Sequence, residues 1–185
     1  LKAKNKLPEK PVVVKTIVTT PLISAICKEY NAEMADLLTG FKYIGELVTE
    51  LDEKGEADRY VLGLEESYGY LVGTHARDKD AVVAVMCLCE AAAFCKKQGK
   101  TLWDMMLDMY EKYGYFKESQ YTITLKGIDG SRQIAEIMDK LRTNPPKTIL
   151  GSPVVKINDF LSLEETNVAT GVKTPIEQDK SNVLQ

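Results

Sequence analysis

The sequence predicts an α/β domain, a mostly parallel sheet sandwiched by helices, followed by the partial start of an α+β domain. Three observations carry that expectation. Residues 11–18, PVVVKTIV, form a β-branched and mostly apolar run that suits a strand covered on both faces. Strand-like and helix-like segments then alternate through residue 64, the order expected of a parallel sheet. Beyond Phe116 the pattern changes to a period of two in residues 121–126, YTITLK, which predicts an antiparallel strand with one solvated face.

Taken in order, residues 1–10 are charged and contain proline, which predicts a linker or disordered lead-in. After the first strand, Thr20 is placed to cap a helix opening at Pro21, with Leu22, Ala25 and Ile26 as its buried stripe. Residues 32–38 read as the second strand, which opens at Thr39-Gly40 into a loop before a helix over residues 44–53. Residues 60–64 read as the third strand, followed by a loop broken by Gly69 and Gly73. A long helix capped by Asp78 or a neighbour runs to Lys97, and its nearly uniform apolarity predicts that it lies inside its domain. Thr101 opens a further helix with a Leu102, Met105, Met106, Met109 stripe, closing at Gly114. Ile134, Ile137, Met138 and Leu141 mark an amphipathic helix stopped by Asn144-Pro145-Pro146. Residues 154–157 read as a short strand, and residues 162 onward carry no defensible period. A boundary near residues 116–120 divides the chain into a domain over residues 1–118 and an incomplete second domain over residues 119–185.

Composition narrows the function classes. A chain of 185 residues with 44% hydrophobic content buries a sizeable core. Lys+Arg 24 against Asp+Glu 27 gives a net charge of −3 with no basic stripe, so the footprint of a nucleic-acid or anionic-membrane binder is missing. No apolar run approaches the ~20 residues of a membrane span, and the expected compartment is the cytoplasm. The four cysteines, Cys27, Cys87, Cys89 and Cys95, lack metal or redox spacing and read as small core hydrophobes in a reducing environment. The chain begins at Leu1 and ends at Gln185 inside a strand-like SNVLQ, so it is expected to be part of a longer protein.

The stretch richest in chemistry is residues 59–80, RYVLGLEESYGYLVGTHARDKD. A strand delivers Glu65, Glu66 and Ser67 to its carboxyl end, where small molecules dock in open α/β sheets. A carboxylate takes vicinal hydroxyls, and a serine both donates and accepts, so the pair suits a polyol. Glu66 faces the opposite way from Glu65 and reads as structural or merely exposed. Arg77 and Lys79 read as surface charges beside Asp78 and Asp80, or as phosphate partners near a helix start. His75, the only histidine, reads as a hydrogen-bonded loop residue, and Phe41 as a packing residue or, alternatively, a ring for a ligand to stack on.

Glu65-Glu66-Ser67-Tyr68-Gly69, followed by Thr74-His75-Ala76-Arg77-Asp78-Lys79-Asp80, resembles the sugar-binding loop of the α-D-phosphohexomutases, most closely the phosphoglucomutase branch. Val13 to Thr20 and the loop Thr39-Gly40-Phe41-Lys42-Tyr43-Ile44-Gly45-Glu46 extend the resemblance, which covers residues 11 to about 160. The resemblance implies domain III of that family plus the opening of domain IV, within a cytoplasmic parent enzyme that interconverts glucose 1-phosphate and glucose 6-phosphate. That chemistry passes through a phosphoserine and a 1,6-bisphosphate, with Mg2+ and glucose 1,6-bisphosphate as the parent's cofactors. By the same resemblance Glu65 and Ser67 grip ring hydroxyls, Thr39 and Gly40 contact the sugar, and Lys79 faces the substrate phosphate. The family's T-A-S-H-N-P-type phosphoserine loop, D-x-D-x-D-R metal loop and S-G-T-E-P phosphate loop are absent, so no catalytic or metal residue is assigned and the chain is expected to be inactive by itself. Tyr70 stands where some phosphomannomutase relatives place a histidine, which removes a base from this loop. A phosphomannomutase or phosphopentomutase, and a non-catalytic α/β ligand-binding or interaction module, are the alternatives. The expected partners are a hexose phosphate and the parent's remaining domains, without nucleic acid or membrane.

Overall fold

The computed structural model describes residue 1 and residues 5–185, so the lead-in expected over residues 1–10 lies partly outside the described residues. The chain forms two compact units, Leu1–Glu118 and Ser119–Gln185.

The first unit is an α/β layer structure. Its elements are β1 (Val12–Thr16), α1 (Leu22–Glu29), β2 (Glu33–Leu37), α2 (Phe41–Glu53), β3 (Tyr60–Glu65), β4 (Gly69–Val72), α3 (Ala81–Lys97) and α4 (Leu102–Tyr113), with a short 3-10 turn at Ala57–Arg59. The sheet order is β2-β1-β3-β4. β1 runs parallel to both β2 and β3, and β4 folds back antiparallel on β3. β4 corrects the sequence reading, which makes these residues a loop because of Gly69 and Gly73. Only Gly73 breaks the ladder, with φ 80°, while Gly69 sits within the pairing opposite Glu65.

Alternation along β1 sends Val12 and Val14 to one face, where α2 lays Phe41, Ile44, Val48 and Leu51 against them together with Tyr60 and Leu71. Each such fully buried aliphatic side chain contributes about 1.5–3 kcal/mol of transfer free energy. The buried Lys15 leaves β1 beside this core, and Asp36 of the neighbouring strand holds its ammonium at 2.8 Å. Helix ends follow their expected chemistry with small shifts. The Thr20 hydroxyl accepts the Leu22 N–H at 3.3 Å, while Pro21 sits just ahead of α1. Asp80, not Asp78, caps α3 by accepting the Val83 N–H at 3.0 Å, and Thr101 forms a capping box with Asp104 at the head of α4.

α3 departs from the sequence reading. Its apolarity nearly all round predicts a place inside the domain, yet Cys95 is its only buried residue, and Val82, Val85, Met86, Leu88 and Phe94 are exposed. Uniform apolarity permits burial without supplying partners, and within this unit α3 packs chiefly against β4 and α4. Cys87 and Cys89 follow their helix to the surface, so only Cys27 and Cys95 are the small core residues expected of all four.

The second unit holds α5 (Gly127–Thr143), a short hairpin of β5 (Thr148–Ile149) and β6 (Ser152–Pro153), and an antiparallel sheet of β7 (Lys156–Asp159), β8 (Glu164–Asn167) and β9 (Lys173–Pro175). Arg142 ties α5 to β7 through Asp159 at 3.1 Å. The strand expected over residues 121–126 does not form: no ladder partner reaches it, and Tyr121 is 89% exposed. No helix among the described residues is long and apolar enough to cross a membrane.

The contrast between α2 and α3 gives a measurable outcome. In urea unfolding, Ile44→Ala lowers stability by about 2–5 kcal/mol because it empties a closed core site. Val85→Ser on α3 stays within about 0.5 kcal/mol of the parent. A Val85→Ser cost as large as that of Ile44→Ala would mean that α3 is buried.

Candidate functional site

The carboxyl ends of β1, β2 and β3 share one edge of the sheet, with β2 and β3 on opposite sides of β1. Chains leaving those ends diverge, which opens the crevice where α/β proteins hold small molecules. β3 ends there at Glu65, and Glu66, Ser67 and Tyr68 turn the chain into β4. Tyr68 takes φ 57°, a left-handed conformation that costs a non-glycine residue about 1–2 kcal/mol, and its ring is exposed.

Glu65 is the centre of the site. Its side chain is buried, with the residue 4% exposed. Oε1 accepts the Ser67 hydroxyl at 2.7 Å and the Lys79 ammonium at 2.7 Å. Lys79 Nζ also donates to the Ser67 carbonyl at 3.0 Å and to Ser67 Oγ at 3.3 Å, so the three side chains form a closed triangle. Glu65 Oε2 is buried and has no hydrogen-bond partner among the described residues. Burial pushes the carboxyl pKa up, but the Lys79 ammonium, the Ser67 hydroxyl and the Gly40 amide outweigh it and hold Glu65 below the usual carboxylate range. The Gly40 backbone N–H, at the head of α2, adds to this lowering.

The seat is shaped by a missing side chain. A Cβ on Gly69 would lie 2.6 Å from Glu65 Cγ and 2.8 Å from Phe41 Cδ2. The ring of Phe41, buried in the core, therefore lies against the hairpin and joins the loop after β2 to the loop after β3.

Of the residues singled out from sequence, Glu65, Ser67 and Lys79 are in direct contact, and Gly40, with φ 128°, stands at the head of α2 close enough to influence Glu65. Thr39 is exposed on the same edge and has no hydrogen bond to these side chains among the described residues. Lys79 is not a free cation awaiting phosphate, since Glu65 engages it. Glu66 is exposed and accepts the Thr16 hydroxyl at 3.2 Å, and His75 bonds Asp80 at 2.7 Å. The sequence reading gives no role to Thr16 and Thr19, buried where β1 exits, whose hydroxyls lie 3.0 Å apart. Their signal is present in the threonines of residues 16–20, TIVTT.

One Glu65 oxygen is fixed by two donors, while the other is buried and keeps spare acceptor capacity. Residues 1–113 match the family described as phosphoglucomutase/phosphomannomutase, alpha/beta/alpha domain III. The chain belongs to the phosphoglucomutase/phosphomannomutase family. Phosphoglucomutases of Staphylococcus aureus strains bovine RF122 / ET3-1 and USA300 are each 34% identical to it over 173 residues, covering 94% of this chain and 31% of the relative. The chain thus spans about a third of the length of these curated relatives. A solved structure of a candidate phosphomannomutase from Thermus thermophilus overlays with a TM-score of 0.49 and 21% identity, covering 68% of this chain and 28% of that one. In this family member residues 1–113 match domain III, and the Glu65 hairpin follows the carboxyl end of β3.

The electrostatics set a pH dependence. Because Glu65 ionises at lower pH in the folded chain than its ordinary value of ~4.3, its charge adds stability above that value. That contribution is lost as the pH falls through the depressed folded value. The difference in unfolding free energy between wild type and Glu65→Gln therefore shrinks on acidification from pH ~7 through the carboxylate range. A difference that stays constant would contradict a paired, ionised Glu65.

Proposed function

We propose that this chain is the sugar-recognition part of a phosphoglucomutase that interconverts glucose 1-phosphate and glucose 6-phosphate through a phosphoserine and a 1,6-bisphosphate. The observation that carries the reading is the divided carboxylate of Glu65, with Oε1 held by Ser67 and Lys79 and Oε2 buried without a partner. Oε2 accepts a ring hydroxyl, Ser67 supplies a second polar contact, and the exposed Thr39 and the Gly40 backbone receive the opposite edge of the ring. Lys79 shares its charge between Glu65 and the substrate phosphate, which its 37% side-chain exposure allows. The mutase reaction requires the hexose to bind in two reversed orientations, and one fixed acceptor serves a hydroxyl in either.

The chain itself binds and does not turn over, in this reading. Its sequence has neither a T-A-S-H-N-P-type serine loop nor a D-x-D-x-D-R loop. Among the described residues, no three or more His, Cys, Asp or Glu side chains converge in a way that fits Mg2+. In this reading Mg2+ and glucose 1,6-bisphosphate are cofactors of the full-length parent, as the family membership supports. The parent is placed in the cytoplasm, with hexose phosphate and its own remaining domains as partners. The family membership and the S. aureus relatives support these assignments.

Titration of the chain with glucose 1,6-bisphosphate, followed by two-dimensional NMR, shifts the signals of Glu65, Ser67, Lys79 and Gly40. In the full-length parent, Glu65→Ala lowers kcat/KM at least ~10-fold, as loss of a hydrogen bond to a charged group implies. An unchanged kcat/KM in that variant would remove Glu65 from the site.

A further inference from the structure

Lys79 carries four stem carbons and reaches Glu65 from a segment without regular structure, residues 73–80, so something must hold that segment in place. At one end, the Asp80 N–H donates to the Tyr70 carbonyl at 2.8 Å, and the Asp80 side chain caps α3 and bonds His75. The other anchor is on α2. Gly45, Thr49 and Asp52 are spaced i, i+4 and i+7 and therefore lie along one stripe of that helix. All three meet Arg77.

The contact with Gly45 requires glycine: a Cβ there would lie 2.2 Å from the Arg77 carbonyl oxygen and 3.2 Å from its carbon. The Thr49 hydroxyl donates to the Gly45 carbonyl at 3.0 Å and accepts Arg77 Nε–H at 3.1 Å. Asp52 accepts Arg77 Nη2–H at 2.7 Å. The remaining arm of the guanidinium, Nη1, donates to the Thr74 carbonyl at 2.7 Å and to the Ala76 carbonyl at 3.2 Å. One planar group thus ties the backbone of the segment to itself and to α2, using a fork of donors that a lysine lacks. A solvated surface charge does not need a bare Cα opposite its own carbonyl. Lys79 follows two residues later.

We infer that Arg77 is a positioning residue, docked on the Gly45, Thr49, Asp52 stripe of α2, and that this docking presents the Lys79 ammonium to Glu65 and Ser67. The functional weight of Lys79 rests on the sugar-phosphate reading above, whereas the positioning itself does not. It is therefore tested without ligand, by following the Glu65 side-chain carboxyl through a pH titration with carbon-13 NMR in the 185-residue chain. The groups facing that carboxylate are Lys79, Ser67 and the Gly40 amide, so its midpoint reports where the ammonium sits.

Lys79→Met moves the Glu65 midpoint upward, which sets the scale. Arg77→Lys, which keeps the charge and most of the bulk but loses the fork, moves it in the same direction by at least half as much, and so does Arg77→Ala. In a Lys79→Met background, Arg77→Lys produces no further movement. Asp52→Ala, at a half-exposed position that leaves the core intact, moves the wild-type midpoint the same way. The inference is overturned if Arg77→Lys and Asp52→Ala leave the Glu65 midpoint in place. It is equally overturned if Arg77→Lys shifts the midpoint as much without Lys79 as with it, or if Lys79→Met has no effect. A wild-type chain that ignores glucose 1-phosphate while showing these shifts would refute the sugar reading and leave the role of Arg77 standing.

Discussion

A carboxylate taken out of water at the end of a strand is the constraint on which the site depends. An unpaired buried charge costs several kcal/mol, so Glu65 is tolerable only with a cation and donors around it. The chain supplies Lys79 and Ser67 on Oε1, with the Gly40 amide nearby. Each in turn places a demand on the fold. Lys79 needs a fixed segment, Ser67 needs the tight hairpin that leaves Tyr68 left-handed, and Gly40 needs α2 to begin beside the hairpin. Gly69 must lack a side chain for the carboxylate to fit at all.

The rigid part of the unit explains how those demands are met together. α2 buries Phe41, Ile44, Val48 and Leu51 on the sheet, which fixes both its N-terminal end near Glu65 and its outer stripe under Arg77. One helix therefore orients the site from two sides, with an amide at its start and an anchor two to three turns later. On the proposed reading, a chain of net charge −3 meets a small anionic ligand by local charge at Lys79 instead of by a basic field.

How much of this is legible in the sequence depends on whether a residue's role is set locally. Glu65, Ser67 and Lys79 can be read because the strand exit and its glycines are contiguous and match a known loop pattern. β1, α1, β2, α2 and β3 can be read because alternation and apolar runs are local signals. β4 cannot, because Gly69 and Gly73 look alike in sequence, and only pairing with β3 distinguishes the one that stays in the ladder. α3 and residues 121–126 fail for a related reason: apolarity and alternation state what a segment is able to bury or pair with, while the partner is a long-range fact. β7, β8 and β9 are short and polar, so their ladders leave no period to find. Arg77 looks like a neighbour of Asp78 and Asp80, and its partners Thr49 and Asp52 lie on another helix.

On the proposed reading, Glu65 presents one satisfied and one unpaired oxygen to a hexose phosphate. A crystal structure of the chain soaked with glucose 1-phosphate tests it most directly. A ring hydroxyl is expected within hydrogen-bond distance of Glu65 Oε2, with Oε1 still held by Ser67 and Lys79. Sugar density elsewhere on the unit, with Oε2 turned inward onto a protein donor, would contradict it.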